Sequence, residues 1–471
     1  MFEELYFLQC GLIYLKKAYQ ENFSGINHRP DGLLLKLVEE NLPFQLTNDQ
    51  HTVLKEIKAD MEKSLPMRRL ILGDVGAGKT VLAALALTKT VENGYQGALM
   101  APTDILAEQH FNTLTGLLAQ PGLKIGLLTG KLPAKARTET LTGLKNGSLD
   151  LVVGTHSLIQ DKVEFNKLGL VVTDEQHRFG VDQRAKLAAK GKNGTAPDML
   201  VMTATPIPRT LALTMYGDLD LSVIRQLPAG RKPIRTFVRN NERRPLVYQF
   251  VGNEVRTGRQ AYIVCPLISE SEPGGIIAAE ELYRQLTGTV FKNIKCGLVH
   301  GKMRSPAKET VMAAFYRNDI KILIATSVIE VGVNVPNATV IVIEGADRFG
   351  LAQLHQMRGR VGRGEYQSYC ILLTGSRTEA TLTRLKTIEQ LADGFLLAEQ
   401  DLAFRGPGQY FGPKQHGLPD LKIANIFTDS AILTEARQAA VQTAQSPAAL
   451  AKAYRIINHR LNGQFDFMLN E

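Results

Sequence analysis

Six short apolar runs punctuate residues 47–228: Arg68–Asp74, Gly97–Pro102, Lys124–Gly130, Asp150–Thr155, Leu168–Glu175 and Asp198–Thr205. Helix-length segments separate them, and Gly, Thr or Asp bounds each run. Continuous rather than alternating apolar runs predict strands buried on both faces, so the pattern indicates a parallel, doubly wound α/β sheet. Leu227–Arg235, with Pro228, Gly230 and Pro233, breaks the pattern and is expected to link two domains. A second series then follows: Gln260–Ile268, Lys295–Gly301, Asp319–Thr326, Ala338–Gly345 and Ser368–Gly375. The fold class is therefore α/β, two domains in tandem. Residues 1–46 predict helix, with Leu33, Leu34, Leu37 and Val38 at amphipathic spacing, and are expected to form a linker or docking helix. Beyond residue 375 the strand signal fades. Helical stretches flank a Gly/Pro-rich loop from Arg405 to Gly417, and the tail from 426 is Ala-rich, helical and without evident chemistry.

Composition narrows the class without naming a function. At 471 residues, 44% hydrophobic and 21% charged, the chain is neither disordered nor fibrous and is long enough for two or three domains. The net charge is +9, and residues 229–375 carry +8 of it, which points to a polyanionic partner. Cys10, Cys265, Cys296 and Cys370 are far apart, so neither a zinc site nor a disulfide framework is indicated. With no apolar run of about 18 residues and no basic-then-apolar leader, the expectation is a cytoplasmic chain.

The strongest motif is Gly73-Asp74-Val75-Gly76-Ala77-Gly78-Lys79-Thr80, which lies after an apolar strand and before an Ala/Leu-rich helix. Glycines allow a tight loop whose N–H groups point at phosphate oxygens. Lys79 then offers a point charge to the β/γ-phosphates and the Thr80 hydroxyl suits Mg²⁺. Near the end of a later strand stand Asp174 and Glu175, followed by Gln176 and His177. Adjacent carboxylates there are costly unless a cation or a reaction needs them. Asp174 is thus a candidate to hold Mg²⁺, and Glu175 a candidate to activate water.

With these two motifs the sequence resembles superfamily 2 helicases, which implies two RecA-like lobes, a C-terminal helical hairpin and ATP as cofactor with Mg²⁺. Phe44, Thr47 and Gln50 resemble the adenine-reading segment. Pro102 and Thr103, and Thr155 and His156, resemble strand-tracking motifs. Thr203 and Thr205 resemble the motif that couples hydrolysis to lobe movement, and His177 is suited to connect it to the nucleotide site. Thr326 through Glu330, Gly332 and Pro336 resemble the fifth motif; Gln356 through Arg363 resemble the sixth, with Arg360 and Arg363 as arginine-finger candidates. Such fingers stabilise charge on the γ-phosphate oxygens when the cleft closes.

Longer stretches, Asp174–Arg184, Met202–Thr214, Ile329–Ala338 and Gly350–Gly364, resemble the RecG family of DNA branch-migration helicases. The likeness continues through Asp393–Phe395 and Asp401 to Arg405–Gly408. There the family has a helical hairpin and loop that couples ATP-driven motion to duplex translocation, which makes Arg405 and Gln409 coupling candidates. The resemblance implies an enzyme, an ATP-driven helicase in DNA repair and recombination. Its expected partners are branched or duplex DNA and a single-strand binding protein, and the chain is read as a bacterial monomer. Domain expectations are a helical linker over 1–46, an ATP-binding lobe over 47–228 and a second lobe over 229–375. A coupling hairpin and loop over 376–425 and a tail over 426–471 complete them. The sequence departs from the family pattern at Asn334, where Asp is usual, and in the loop from Gly408 to Gly417. Family members also carry an N-terminal OB-fold wedge, for which residues 1–46 are too few, so a fragment or truncated reading frame is expected. Two alternatives stay open: a duplex translocase like the transcription-repair coupling factor Mfd, and an ATP-inert nucleic-acid-binding remnant. His110, His300 and His355 are read as structural histidines, and Tyr262, Cys265 and Cys296 as core.

Overall fold

The computed structural model describes the chain except residues 121, 175–189, 191–194, 206–207, 209–210, 213–216, 218, 229, 231, 267–273, 327–334, 406–422, 427–428 and 461–471. Two compact units form: Met1–Gly73 with Ala77–Gln226 and Leu402–Glu471, and Asp74–Gly76 with Leu227–Asp401.

The first unit begins with α1 (Phe2–Asn22), α2 (Leu33–Glu40) and α3 (Asn48–Met61), followed by β1 (Arg68–Gly73) and α4 (Lys79–Glu92). Then come β2 (Gln96–Met100), α5 (Asp104–Leu117), β3 (Ile125–Leu128), α6 (Ala134–Asn146), β4 (Leu151–Gly154), β5 (Leu168–Asp174), β6 (Asp198–Thr203) and β7 (Asp220–Ile224). The strands form one sheet in the order β3-β4-β2-β5-β6-β1-β7. Every pairing is parallel, so the carboxyl ends lie along one edge, where α/β folds place their ligands. Leu70, Ile71, Leu72, Val152, Val153, Leu170 and Val172 are buried, as continuous apolar runs require.

The N-terminal segment differs from expectation. In α2 the buried residues are Leu35 and Val38, whereas Leu33 is 85% exposed and Leu37 is also exposed. Ion pairs and backbone hydrogen bonds accompany this orientation. The Lys89 Nζ, buried at the end of α4, donates to the Arg29 carbonyl (2.9 Å), Asp31 Oδ1 (2.8 Å) and Glu62 Oε1 (2.8 Å). Lys58 bonds Asp31 Oδ2 (2.8 Å) and Glu39 Oε1 (2.5 Å), and Glu92 accepts from the Gly32 and Leu34 N–H groups. The segment before the sheet is thereby bound to α3 and α4.

The second unit comprises β8 (Arg235–Asn240), α7 (Arg244–Arg256), β9 (Gln260–Val264), α8 (Gly274–Gly288), β10 (Cys296–Val299), α9 (Ser305–Tyr316), β11 (Ile322–Ala325), β12 (Ala338–Ile343), α10 (Leu351–Arg358), β13 (Tyr369–Thr374) and α11 (Glu379–Gln390). Its strands are again all parallel, in the order β10-β11-β9-β12-β13-β8. Tyr262 and Phe315 pack within it with ring centroids 4.9 Å apart. The last described residues of this unit belong to α12 (Gly394–Arg405), so the division between units falls inside that helix rather than at either end of the expected coupling segment.

Two tail helices, α13 (Ser430–Thr443) and α14 (Pro447–Arg460), return to the first unit and pack on α1. Their alanines have a packing purpose: Ala440 and Ala453 are buried against Cys10, small enough for the helices to approach closely. Tyr14 stacks on Tyr454 at 4.0 Å, and Lys16 of α1 reaches Asp220 of β7 at 2.6 Å. Among the described residues no helix is long and apolar enough to cross a membrane.

Candidate nucleotide and nucleic-acid site

At the end of β1 the chain turns through Gly76 (φ +80°) and Gly78 (φ +82°), left-handed conformations that residues with a Cβ rarely adopt. Gly78 is the N-cap of α4, whose first residue is Lys79. A Cβ on Gly78 would lie 2.2 Å from Gln50 Nε2, so the loop and Gln50 are in close contact. Lys79 is 8% exposed, and its Nζ donates to the Gly73 carbonyl at 2.7 Å. Asp74 Oδ1 accepts from the Val75 N–H at 2.6 Å. The result is an ammonium held inside a glycine-permitted turn at a helix N-terminus, an arrangement that suits phosphate. Thr80 is partly buried in the first turn of α4, and Ala77 is buried.

Gln50 is 1% exposed, and both polar ends of its side-chain amide are hydrogen-bonded. Its Oε1 accepts from the Thr47 N–H (2.8 Å), while Thr47 Oγ1 accepts from the Gln50 N–H (3.2 Å), a reciprocal cap that starts α3. Its Nε2 donates to the Ala77 carbonyl at 2.8 Å. The structure thus ties Gln50 to the phosphate loop, while Phe44, nearby in sequence, is exposed.

Two strands from β1, β5 ends with Asp174, paired with Met202 of β6, which in turn pairs with Ile71 of β1. The phosphate loop and Asp174 therefore share the carboxyl edge of the sheet. Asp174 Oδ2 lies 2.8 Å from His110 Nε2. His110 is buried on α5, and sequence reasoning set it aside as structural; no local pattern links a mid-helix histidine to a strand 64 residues on. A hydroxyl at Thr80 and a carboxylate at Asp174 are hard oxygen donors, which fit Mg²⁺ better than a softer metal.

The same edge carries the other first-unit candidates. Pro102 and Thr103 follow β2, and Thr103 Oγ1 caps α5 by accepting from the Leu106 N–H at 3.4 Å. Thr155 is buried after β4, and His156 is exposed at the start of a 3₁₀ turn. Thr203 ends β6, and its Oγ1 accepts from the Thr205 N–H at 3.1 Å. Glu175, His177, Gln409 and the Arg405 side chain lie outside the described residues, as do Glu330, Gly332 and Asn334.

In the second unit, Thr326 is buried directly after β11. Gln356 is half-buried on α10; Arg360 and Arg363 follow that helix, Arg360 buried and Arg363 half-buried with its Nε donating to the Gly359 carbonyl at 3.1 Å. Both ends of α10 are clamped. At its N-terminus Asp401 of α12 accepts from the Leu351 N–H (3.0 Å) and the Ala352 N–H (3.4 Å), a carboxylate on the positive end of a helix. At its C-terminus Arg358 donates to the Ile388 (2.8 Å), Leu391 (2.8 Å) and Ala392 (3.0 Å) carbonyls that close α11. A Cβ on Gly394 would stand 2.5 Å from His355 Nε2, so the turn into α12 lies against the same helix. Tyr262, Cys265, Cys296 and Cys370 belong to the core or its margin. Burial pushes the Tyr262 phenol up to about 12, and the Cys265 and Cys370 thiols up to about 12 and Cys296 up to about 11, so none of these three cysteines supplies a reactive thiolate.

Comparison with known proteins assigns the family. A DEAD/DEAH box helicase model matches residues 47–214, a helicase conserved C-terminal domain model matches 242–365, and a model described as ATP-dependent DNA helicase RecG, domain 3, C-terminal, matches 391–464. The ATP-dependent DNA helicase RecG of Synechocystis sp. is 50% identical over 440 residues, 93% of this chain and 53% of that protein. RecG of Bacillus subtilis is 49% identical over 448 residues, 95% of this chain and 65% of that protein. A solved structure of RecG bound to a three-way DNA junction aligns with a TM-score of 0.77 at 43% identity, covering 92% of this chain and 56% of that one. The DEAD-box helicase Mss116 bound to ssRNA shares the fold, at 16% identity and a TM-score of 0.56. The chain thus spans between about half and two thirds of the length of these RecG relatives. Matched by helicase models over both sheets and by a RecG-specific model beyond them, the chain belongs to the RecG family.

Proposed function

We propose that the chain is an ATP-driven DNA translocase motor that acts on branched DNA, such as stalled forks and Holliday junctions, in repair and recombination. The observation that carries this reading is the phosphate loop with its buried Lys79, set on the same sheet edge as Asp174 in a chain of RecG ancestry. Backbone N–H groups from Gly76 to Thr80 and the Lys79 ammonium bind the β- and γ-phosphates, and Gln50, already bonded to Ala77, reports adenine occupancy to the loop. Thr80 and Asp174 would hold Mg²⁺, which would supply positive charge beside the phosphates. Glu175 orients and deprotonates the attacking water, and Arg360 and Arg363 stabilise the γ-phosphate oxygens.

Translocation follows if the order of Arg360 and Arg363 depends on nucleotide state. These residues emerge from α10, which Asp401 and Arg358 hold to α12 and α11. A shift of α10 then moves the hairpin, and with it Arg405 and Gln409 against duplex DNA. Pro102, Thr103, Thr155, His156 and Thr326 are proposed to contact the strand backbone, where small hydroxyl residues allow close approach to phosphate. A single-strand binding protein is proposed as a partner, with the chain acting as a monomer in the bacterial cytoplasm.

The test is ATP hydrolysis measured with forked, plain duplex and single-stranded DNA. Forked DNA is expected to stimulate most, and Lys79→Ala or Glu175→Gln to abolish turnover. Stimulation equal on plain duplex, together with binding to RNA polymerase, would favour an Mfd-like translocase. Flat background rates with every DNA would replace the reading with an ATP-inert remnant.

A further inference from the structure

We infer that His110 is a positioning residue for the metal-holding carboxylate of Asp174, and that α5 joins this residue rigidly to the strand-contacting Thr103. The inference rests on the reading of Asp174 given above. An ionised carboxylate only accepts hydrogen bonds, so at 2.8 Å His110 Nε2 must be the protonated nitrogen and donate to Asp174 Oδ2. A donor on one oxygen restricts the carboxylate's rotation, as outer partners of metal-binding carboxylates do. His110 is 8% exposed and therefore held in place by packing.

The helix supplies the second part. Thr103 caps α5, and His110 stands seven residues further on, two turns away on the same face. The intervening turns carry buried Leu106 and Ala107, and the helix packs on β3 and β4. A displacement imposed at Thr103 by a nucleic-acid phosphate therefore reaches His110 through a packed rod rather than a flexible loop. DNA engagement at the cap and carboxylate geometry at the cation site become one mechanical variable. This gives the protein a route for DNA to tighten metal binding within the first unit alone.

Mn²⁺ serves as the probe, with its affinity read by electron paramagnetic resonance in the presence of a non-hydrolysable ATP analogue, with and without forked DNA. His110→Ala is expected to weaken Mn²⁺ binding roughly 10- to 100-fold. Analogue binding without metal should be unchanged, and the tightening of Mn²⁺ caused by DNA should be lost. His110→Gln, whose amide N–H can reach the same oxygen, should recover most of the affinity; His110→Asn, which falls short, should not and replaces the Ala variant if that one does not fold. Asp174→Asn is the reference. If it weakens Mn²⁺ while His110→Ala and His110→Asn stay within twofold of the wild type, the inference is overturned. If Asp174→Asn has no effect, the underlying reading of the metal site fails instead. Loss of Mn²⁺ affinity with DNA tightening intact would overturn the α5 connection.

Discussion

Arg358 Nη2 donates to His355 Nδ1 at 2.7 Å, one helical turn away on α10. Because a guanidinium cannot accept, this bond makes Nδ1 the acceptor and leaves the ring proton of neutral His355 on Nε2. Arg358 is buried, and with its other N–H groups it closes the carbonyl end of α11. One side chain thereby sets the tautomer of a histidine and the end of the neighbouring helix.

Arg358→Lys keeps the charge but cannot span the three carbonyls and the ring. A loss of roughly 3 kcal/mol is expected, from several charge-assisted bonds left unmade in a buried setting. Urea unfolding of the variant measures it. ATP binding should persist while DNA stimulation of hydrolysis falls, and a variant with wild-type stability and stimulation would remove the clamp from the mechanism.

Asp401→Ala removes the carboxylate from the first N–H groups of α10, a cap worth about 1 kcal/mol. Unwinding of a forked substrate should decline more than ATP turnover does, because α10 and α12 no longer move together. Equal declines in both would show that Asp401 serves stability alone.

Lys89→Met leaves Asp31 and Glu62 facing an apolar side chain. Since Lys89 is 1% exposed but its partners about a third, the loss is expected near 2 kcal/mol, below that of a fully buried pair. Burial by itself raises the Asp31 carboxyl, yet the hydrogen bonds and charges of Lys58 and Lys89 outweigh it and hold it below its ordinary value. A depressed carboxyl contributes stability above its unfolded value, about pH 3.9, that is lost as pH falls through the folded one. The wild type should therefore lose more stability than Lys89→Met on acidification below about pH 4. Parallel acid curves would count against the network.

Asp198 gives the opposite slope. Burial raises its carboxyl to about 6, against the easing effect of His28, whose Nε2 lies 3.1 Å from Oδ2, and of the Met67 N–H on Oδ1. A raised carboxyl favours the fold fully below its unfolded value, near pH 3.9, and this contribution fades as pH rises through about 6. Asp198→Asn keeps an acceptor for Met67 and has no proton to lose. Its stability relative to the wild type should improve by roughly 2 kcal/mol between pH 4 and pH 7, and unfolding at several pH values would show no such trend if His28 already compensates the charge.

Arg363→Ala should retain nucleotide binding and lose hydrolysis by about 10³-fold, the scale of an arginine finger. Single-turnover kinetics with saturating ATP separates the two effects. Hydrolysis within tenfold of the wild type would assign the finger to Arg360.

Most strands were legible because parallel strands buried on both faces must be apolar throughout, as at Leu70–Leu72 or Val340–Ile343. Two were not. β7 (Asp220–Ile224) and β8 (Arg235–Asn240) are sheet edges with mixed burial, so their residues alternate and carry charge, and nothing in the local pattern separates them from loop. The amphipathic reading of α2 holds for the helix and for Val38 but fails at Leu33 and Leu37. Leu33 and Leu37 look like a core stripe in isolation, but the Glu39–Lys58 ion pair and the Gly32 and Leu34 N–H groups donating to Glu92 accompany an orientation in which Leu35 and Val38 go inward.

The sequence by itself determined the phosphate loop, since glycine is favoured at the φ values of Gly76 and Gly78 and the lysine at the helix start folds back to Gly73. Order and spacing likewise determined the two sheets and the RecG family. Tertiary structure alone decided the partners that come from far along the chain: His110 on Asp174, Arg358 on the end of α11, Asp401 on the start of α10, and the tail helices on α1. A backbone motif is legible because its chemistry is contiguous. A contact between side chains tens of residues apart is not, because it depends on where packing brings two elements together.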